Sequence, residues 1–212
     1  RRVLFRSHRL ELGGMENLIH LVEDEESNTL AVIDPAWEVG KITAFAEERG
    51  LKIVAILQTH GHFDHVDGTE ELAAVTGAKV YISAIEASFF ELDNKGWEMF
   101  SAPFSYKLGS SEIIGVATPG HTPGGVCYFV DGNLITGDTL FVNGCGRCDL
   151  PGGDSATLYR SLRSLVEKFP PETKVYPGHH YALEYSSTLE QELVSNPYLR
   201  CESEDEFVNY RM

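Results

Sequence analysis

Three histidines and an aspartate lie within residues 60–65, which read His-Gly-His-Phe-Asp-His. Neutral imidazole and carboxylate groups together form a ligand set that zinc, iron and manganese accept. The apolar, β-branched run 52–58 comes directly before them and predicts a buried strand. A strand that ends in such side chains delivers them to one rim of a sheet, so the segment predicts a metal site.

The same arrangement, an apolar strand that ends in Gly or Pro before a candidate ligand, occurs three more times. Runs that end at residues 120, 137 and 178 lead to His121, Asp138 and His179. Glycine lets the chain turn sharply there because it lacks a Cβ atom. The repetition predicts that all four strand ends contribute to one site.

The elements that must position these residues follow from the hydrophobic pattern. Predicted strands lie at 18–23, 29–34, 52–58, 79–82, 112–118, 126–130, 134–136 and 173–176. Predicted helices lie at 38–50, 68–76, 83–92, 156–169 and 187–194. This order fits two packed sheets with helices on their outer faces.

Some segments carry weaker signals. Residues 93–106 are aromatic and irregular, which predicts either a lid or a packed loop, and the acidic run 202–206 predicts a solvated end. Ser83, followed three residues later by Glu86, is typical of a helix capping box. Residues 1–7 resemble the translation of a sequencing adapter, so we expect a non-native extension before a single domain at 8–212.

The ordered motifs H-x-H-x-D-H, P-G-H-T-P-G, G-D and P-G-H resemble the metallo-β-lactamase superfamily, in its glyoxalase II-like branch. Short bacterial proteins similar to hydroxyacylglutathione hydrolase also share the patterns found here at 146–154 and 187–199. The resemblance implies an α/β fold, an αββα four-layer sandwich of two mixed β-sheets with metals at one rim. It also implies two divalent ions, expected to be zinc, with iron or manganese as alternatives. In that family pattern His60, His62 and His121 hold one ion, Asp64, His65 and His179 hold the second, and Asp138 bridges them.

The activity that the resemblance implies is hydrolysis of a thioester, such as an acyl-glutathione like S-lactoylglutathione, by a metal-bound hydroxide. Asp64 and Asp138 are the expected catalytic carboxylates, because they can orient the hydroxide and accept its proton. Arg147, Tyr181 and Phe141 are the expected substrate contacts, although Arg147 could instead pair with Asp149. Residues expected to orient the metal ligands are Thr59, Thr122, Thr139 and Asp67.

A second interpretation is a glutathione-persulfide dioxygenase with a single non-haem iron. By resemblance, that family would use only His60, His121 and Asp138, a facial triad that leaves positions open for oxygen and substrate. The motifs do not separate the two activities, because the triad is a subset of the dinuclear set. A metal-binding module without catalysis is a third interpretation.

Composition restricts the partners. The chain has 32 acidic and 17 basic residues, a net charge of −15, which disfavours nucleic acid and anionic membranes. No apolar run approaches the ~18 residues of a membrane span. The four cysteines are too few for a disulfide scaffold, and the pair Cys145–Cys148 has no second pair beside it. We expect a cytoplasmic monomer or homodimer that acts on a small thiol-derived molecule.

Overall fold

The fold is known from a computed structural model, which describes residues 5–211. Residues 1–4 of the predicted extension, and Met212, lie outside the described residues. Six strands, hydrogen-bonded in chain order, form the first sheet: β1 (Phe5–Leu12), β2 (Asn17–Asp24), β3 (Thr29–Ile33), β4 (Lys52–Leu57), β5 (Lys79–Ser83) and β6 (Glu98–Phe100). The first three strands pair antiparallel and the rest parallel, so the sheet is mixed.

The second sheet is also mixed and also has six strands. In spatial order they are β14 (Ser187–Thr188), β13 (Lys174–Pro177), β10 (Asn133–Gly137), β9 (Val126–Val130), β8 (Ser111–Ala117) and β7 (Phe104–Leu108). Strands β10 and β13 are parallel and the other pairs antiparallel. A separate ribbon joins β11 (Leu140–Phe141) to β12 (Gly144–Cys145).

Helices connect these strands and cover the sheets. They are α1 (Val39–Glu48), α2 (Phe63–Val66), α3 (Thr69–Thr76), α4 (Ala84–Phe89), α5 (Ser155–Lys168), α6 (Leu189–Ser195) and α7 (Glu204–Arg211). Within residues 5–211, none of them is long and apolar enough to cross a membrane.

Three separate cores show how the layers stack. Successive strand residues face opposite sides of a sheet, so Leu21 joins a core with Ile42 of α1, whereas Val22 joins the core between the sheets. In the second sheet Leu134 packs in the core that contains α5, and Ile135 faces the other sheet. The predicted αββα sandwich of two mixed sheets is therefore confirmed.

Several segments differ from prediction. Part of the irregular region 93–106 forms the edge strands β6 and β7, and Phe100 stacks on Phe104 with ring centroids 4.0 Å apart. The acidic end forms α7, whose Phe207 is fully buried. Residues 5–7 of the predicted extension pair with β2 as the start of β1, a strand that the pattern does not predict.

Chain direction explains why the candidate ligands meet. Strands β8 and β10 both run antiparallel to β9, and β13 runs parallel to β10, so all three end at the same rim. The first sheet is joined to this rim where Thr59 O accepts from Val126 N at 2.8 Å. The Tyr128 hydroxyl also donates to Gln58 O at 2.8 Å.

Candidate metal centre

The seven predicted ligands form two adjacent groups at this rim. The ligand atoms of His60, His62 and His121, hereafter the first cluster, lie within 4.8 Å of one another. The same holds for Asp64, His65 and His179, hereafter the second cluster. Most of these side chains are buried, while His62 keeps partial exposure.

Asp138 lies between the two clusters. Its Oδ1 is 3.3 Å from the Nε2 of His65, and its Oδ2 is 3.4 Å from the Nε2 of His179 and 3.7 Å from that of His121. One carboxylate thus reaches both clusters, as a bridging ligand must.

Two glycines allow Asp138 to reach this position. Gly137 has a φ of 49°, the left-handed conformation that glycine adopts at least cost. At Gly178 an added Cβ atom would lie 2.6 Å from Asp138 Oδ1, closer than non-bonded atoms approach. Both positions therefore favour glycine, as predicted for these strand ends.

Four of the five histidines among the predicted ligands form a hydrogen bond through Nδ1, which turns their Nε2 atoms towards the clusters. Such outer hydrogen bonds fix the tautomer and direction of a metal-binding imidazole. The acceptors are Thr59 Oγ1 for His60 (3.0 Å), Asp34 Oδ2 for His65 (3.0 Å), Arg147 O for His121 (2.7 Å) and Met15 O for His179 (2.8 Å). Among the four residues predicted to orient ligands, Thr59 is the one with such a hydrogen bond within residues 5–211.

Asp34 is a functional residue that the sequence reasoning missed. Its carboxylate accepts from the Thr59 amide at 2.7 Å, from the Thr59 hydroxyl at 2.5 Å and from the His65 ring. Asp34 thereby fixes one ring of each cluster. The available signal was its place as the last residue of a predicted strand, directly before Pro35.

Asn17 is a second missed residue, and no local motif points to it. Its amide nitrogen donates to Asp64 O at 2.8 Å and lies 3.4 Å from Asp64 Oδ2. The Trp37 indole N–H donates to the Asn17 amide oxygen at 2.7 Å, which fixes the direction of the amide. Asn17 therefore holds the aspartate of the second cluster from a strand 47 residues away.

The first cluster presents neutral imidazoles. Burial lowers the pKa of His62 to about 4 and holds the pKa of His60 well below its usual value. Burial also lowers the pKa of His121, although Asp138 acts in the opposite direction. Nitrogen lone pairs are therefore available in this cluster at neutral pH.

The second cluster has the opposite electrostatics. Burial alone would lower the pKa of His65 and His179, but Asp138 outweighs it, so the pKa of His65 lies well above its usual value and that of His179 is about 9. Burial would raise the pKa of Asp138, but His65 and His179 hold it well below its usual range. A cation that binds here takes the place of protons on these rings.

The surroundings of His60 show whether the first cluster fits a metal. The Nε2 of His60 is buried and has no hydrogen-bond partner among residues 5–211, and a buried, unpaired nitrogen is costly. The nearby Nε2 of His121 and Nδ1 of His62, 3.0 Å apart, face the same space. Convergent lone pairs of this kind are satisfied by a divalent cation, so the residues present fit a metal.

The predicted substrate residues lie beside the second cluster or at the surface. Tyr181 stacks on His179 with centroids 4.7 Å apart and is 57% exposed, and the Phe141 ring meets it edge-on at 5.3 Å. Burial, followed by the charges of Asp138 and Asp64, raises the pKa of Tyr181 to about 12. The Arg147 guanidinium is exposed and pairs with Asp149 at 2.6 and 2.7 Å, the alternative that the sequence left open.

The cysteines take no direct part in the centre. All four are buried and free of disulfides. Burial raises the pKa of Cys148 to about 11 and also raises that of Cys145. Neither thiol is activated as a thiolate at neutral pH, so the pair lacks the low pKa of a redox motif.

Comparison with known proteins identifies the family. The profile of the metallo-β-lactamase superfamily matches residues 13–179, which include all seven predicted ligands. The chain belongs to the metallo-β-lactamase superfamily. The resemblance inferred from the motifs is therefore confirmed, and with it a metal-binding, hydrolase-type enzyme.

Individual relatives carry different names. The chain is 33% identical over 195 residues to the "Probable polyketide biosynthesis zinc-dependent hydrolase BaeB" of Bacillus velezensis, covering 92% of this chain and 87% of that protein. It is 39% identical over 180 residues to the hydroxyacylglutathione hydrolase of Cereibacter sphaeroides, covering 82% and 68%. The crystal structure of ETHE1 from Myxococcus xanthus superposes with a TM-score of 0.89 at 29% identity, covering 97% and 89%.

Proposed function

We propose that this enzyme is a dinuclear metal-dependent hydrolase that cleaves a small thioester, such as an acyl-glutathione. The observation that carries the proposal is the completeness of the second cluster. Asp64, His65 and His179 are buried, and each is held by its own outer partner. A single iron on the triad would leave these aligned ligands without a use.

The donor set favours zinc, because imidazole and carboxylate are its common ligands and the relative BaeB is named zinc-dependent. Divalent ions in both clusters would lower the pKa of water to around 7 and polarise the thioester carbonyl. In the reaction water adds to the carbonyl carbon and the C–S bond breaks, giving a carboxylic acid and a thiol.

The carboxylates have separable tasks in this proposal. Burial would raise the pKa of Asp64, but its hydrogen bond with His179 lowers it, so Asp64 is ionised at neutral pH. Asp64 and Asp138 can therefore accept hydrogen bonds from the attacking water and orient it. Asp64 can then pass the released proton towards the departing thiolate.

Three residues outside the metal clusters would contact the substrate. The exposed face of Tyr181 and the Phe141 ring would pack against the acyl or thiol part beside the second cluster. Arg147 would bind a carboxylate of the thiol carrier by exchanging its partner Asp149. The similarity to hydroxyacylglutathione hydrolase supports a glutathione-type carrier.

The likeness to ETHE1 supports the second candidate, a persulfide dioxygenase with one iron. In that case His60, His121 and Asp138 would hold the iron. His62, Asp64, His65 and His179 would only shape the surroundings.

Metal content and two assays separate these candidates. The protein is purified without added metal, its ions are identified and counted, and it is assayed with S-lactoylglutathione and with glutathione persulfide under oxygen. Two ions per chain with thioester cleavage are the expected result. One iron per chain with oxygen consumption would instead establish the dioxygenase.

Substitution of His65 gives an independent test. We expect His65→Ala to lower thioester hydrolysis by about a hundredfold or more and to remove one of two ions, because a ligand and its alignment are lost. His180→Ala is the matched control, since His180 stacks on Tyr185 and pairs with Glu11 at 3.4 Å, away from the clusters. Its activity should stay within about twofold. Full activity in His65→Ala would eliminate the dinuclear mechanism.

A further inference from the structure

Glu86 of α4 is a fully buried carboxylate that belongs to neither cluster. The sequence predicts it as the partner of Ser83 in a capping box, but the Ser83 side chain makes no capping hydrogen bond. Instead, Glu86 Oε1 accepts from the Gly61 amide at 2.9 Å and Oε2 accepts from the Gly124 amide at 2.7 Å. Ser83 is the N-cap residue of α4, as predicted, but the predicted capping box is absent because the Glu86 carboxylate bonds to two distant loops.

Those two loops carry all three ligands of the first cluster. Gly61 lies between His60 and His62, and Gly124 follows His121 by three residues. The second cluster has supports that the first lacks, since Asn17 holds Asp64 and the Met15 carbonyl holds the His179 ring, whereas Asp34 serves both clusters.

Close packing leaves these loops little freedom relative to α4. An added Cβ atom on Gly124 would lie 2.5 Å from the Glu86 backbone nitrogen, and one on Gly61 would overlap the Phe90 ring. The Glu86 carboxylate therefore lies in close packing between the two loops, and its two hydrogen bonds fix their separation.

We infer that Glu86 is a positioning residue specific to the first cluster, which keeps its three imidazoles within reach of one cation. The inference rests on the proposed metal centre. Without the carboxylate, two buried amides lose charge-assisted hydrogen bonds, and the His60–His62 and His121 loops can separate. Outer partners of metal ligands typically change metal affinity by about 10- to 100-fold.

The test follows each cluster separately. Apoproteins of the wild type, Glu86→Gln and Glu86→Ala are labelled with ¹⁵N-histidine and titrated with Zn²⁺, and ring nitrogen shifts report binding at each ring. In Glu86→Ala we expect affinity at His60, His62 and His121 to fall about 10- to 100-fold, with affinity at His65 and His179 unchanged. The Zn²⁺ affinity of the first cluster in Glu86→Gln should lie between those of the wild type and Glu86→Ala, because the amide oxygen still accepts a hydrogen bond from one loop.

Glu192→Gln is the matched control. Glu192 is equally buried, and its Oε2 accepts from the Asn143 amide at 2.9 Å and from the Asn196 side chain at 2.7 Å, away from the histidine loops. Zn²⁺ affinity should be unchanged in this variant.

The inference would be overturned if the Glu86 variants lost Zn²⁺ affinity equally at both clusters, or if Glu192→Gln lost as much affinity as they do. Unchanged affinity in both Glu86→Gln and Glu86→Ala would also overturn it. Should Glu86→Ala fail to fold, Glu86→Gln carries the comparison. A wild type that binds one ion at His60, His121 and Asp138 would defeat the dinuclear proposal. Weaker binding of that ion in Glu86→Gln would still support the role of Glu86, and unchanged binding would contradict it.

Discussion

Arg147 contributes to the candidate site through two different groups. Its carbonyl accepts from the His121 ring at 2.7 Å, while its exposed guanidinium pairs with Asp149. A side-chain substitution removes only the second role. We therefore expect Arg147→Ala to raise KM for S-lactoylglutathione about two- to fivefold, the range of exposed ion pairs, with kcat and metal content unchanged.

Steady-state kinetics would measure this effect, with Arg160→Ala as the control. Arg160 is also exposed and pairs with Glu204 at 3.3 Å on the helical side of the second sheet. An unchanged KM in Arg147→Ala would remove Arg147 from the proposed substrate contacts.

At the residue scale, sequence predicts what local type and spacing encode. The seven candidate ligands were accessible because each follows a strand end, and the structure brings all seven together. Asn17 and Glu86 were not accessible, because their roles depend on hydrogen bonds across 47, 25 and 38 residues. Such partners exist only once the two sheets have packed.

At the scale of elements, Asp24 joins turns from both sheets. At the end of β2, its carboxylate accepts from Ser27 in the first sheet's hairpin turn, and from Ser110 and Ser111 at the β7–β8 turn. Burial would raise the pKa of Asp24, but these hydrogen bonds outweigh it and hold the pKa well below its usual range. Ionised Asp24 therefore stabilises the contact between two hairpins.

We expect Asp24→Asn to lower the free energy of unfolding by about 1–3 kcal/mol at pH 7. Because the folded-state pKa lies below the unfolded value of about 3.9, this stabilisation is present above about pH 4 and declines as the pH falls further. Urea unfolding at pH 7, 4 and 3 should show the difference from wild type shrinking. The control is Asp131→Asn, an exposed turn residue whose left-handed φ of 43° asparagine also accepts. A difference that stays constant with pH would contradict the role of the charge.

Elements with a strong hydrophobic pattern were predictable, and those that bury few residues were not. The helix predicted at 156–169 is α5, Ser155–Lys168, where Leu158, Leu162 and Leu165 form one buried stripe. Strands β6 and β7 are short edge strands that bury one residue each, so their pattern resembles a loop. Helix α7 has one buried residue, and its acidic first turn suits a helix N-terminus as well as a solvated tail.

At the scale of the whole molecule, the fold and the metal centre depend on each other. The clusters join loops that follow strands of both sheets, and they bring together five imidazoles and two carboxylates, most of them buried. The chain is also strongly acidic, with a net charge of −15. The sequence predicted the αββα architecture through motif resemblance, because the ligands must come from strand ends that share a rim. It could not predict how much stability the ions contribute, which depends on their affinity.

Removal of the metal should therefore destabilise the whole domain. An ion present at a thousand times its dissociation constant stabilises the folded state by about 4 kcal/mol, and each kcal/mol shifts Tm by about 2–4 °C in a domain of this size. We expect chelation to lower Tm by about 8–16 °C for each ion lost, measured by calorimetry before and after dialysis against chelator. Added Zn²⁺ should restore Tm, whereas Mg²⁺ should not, because it requires octahedral oxygen ligands. A metal-free protein that unfolds at the original temperature would show that the buried rings and carboxylates satisfy one another without a cation.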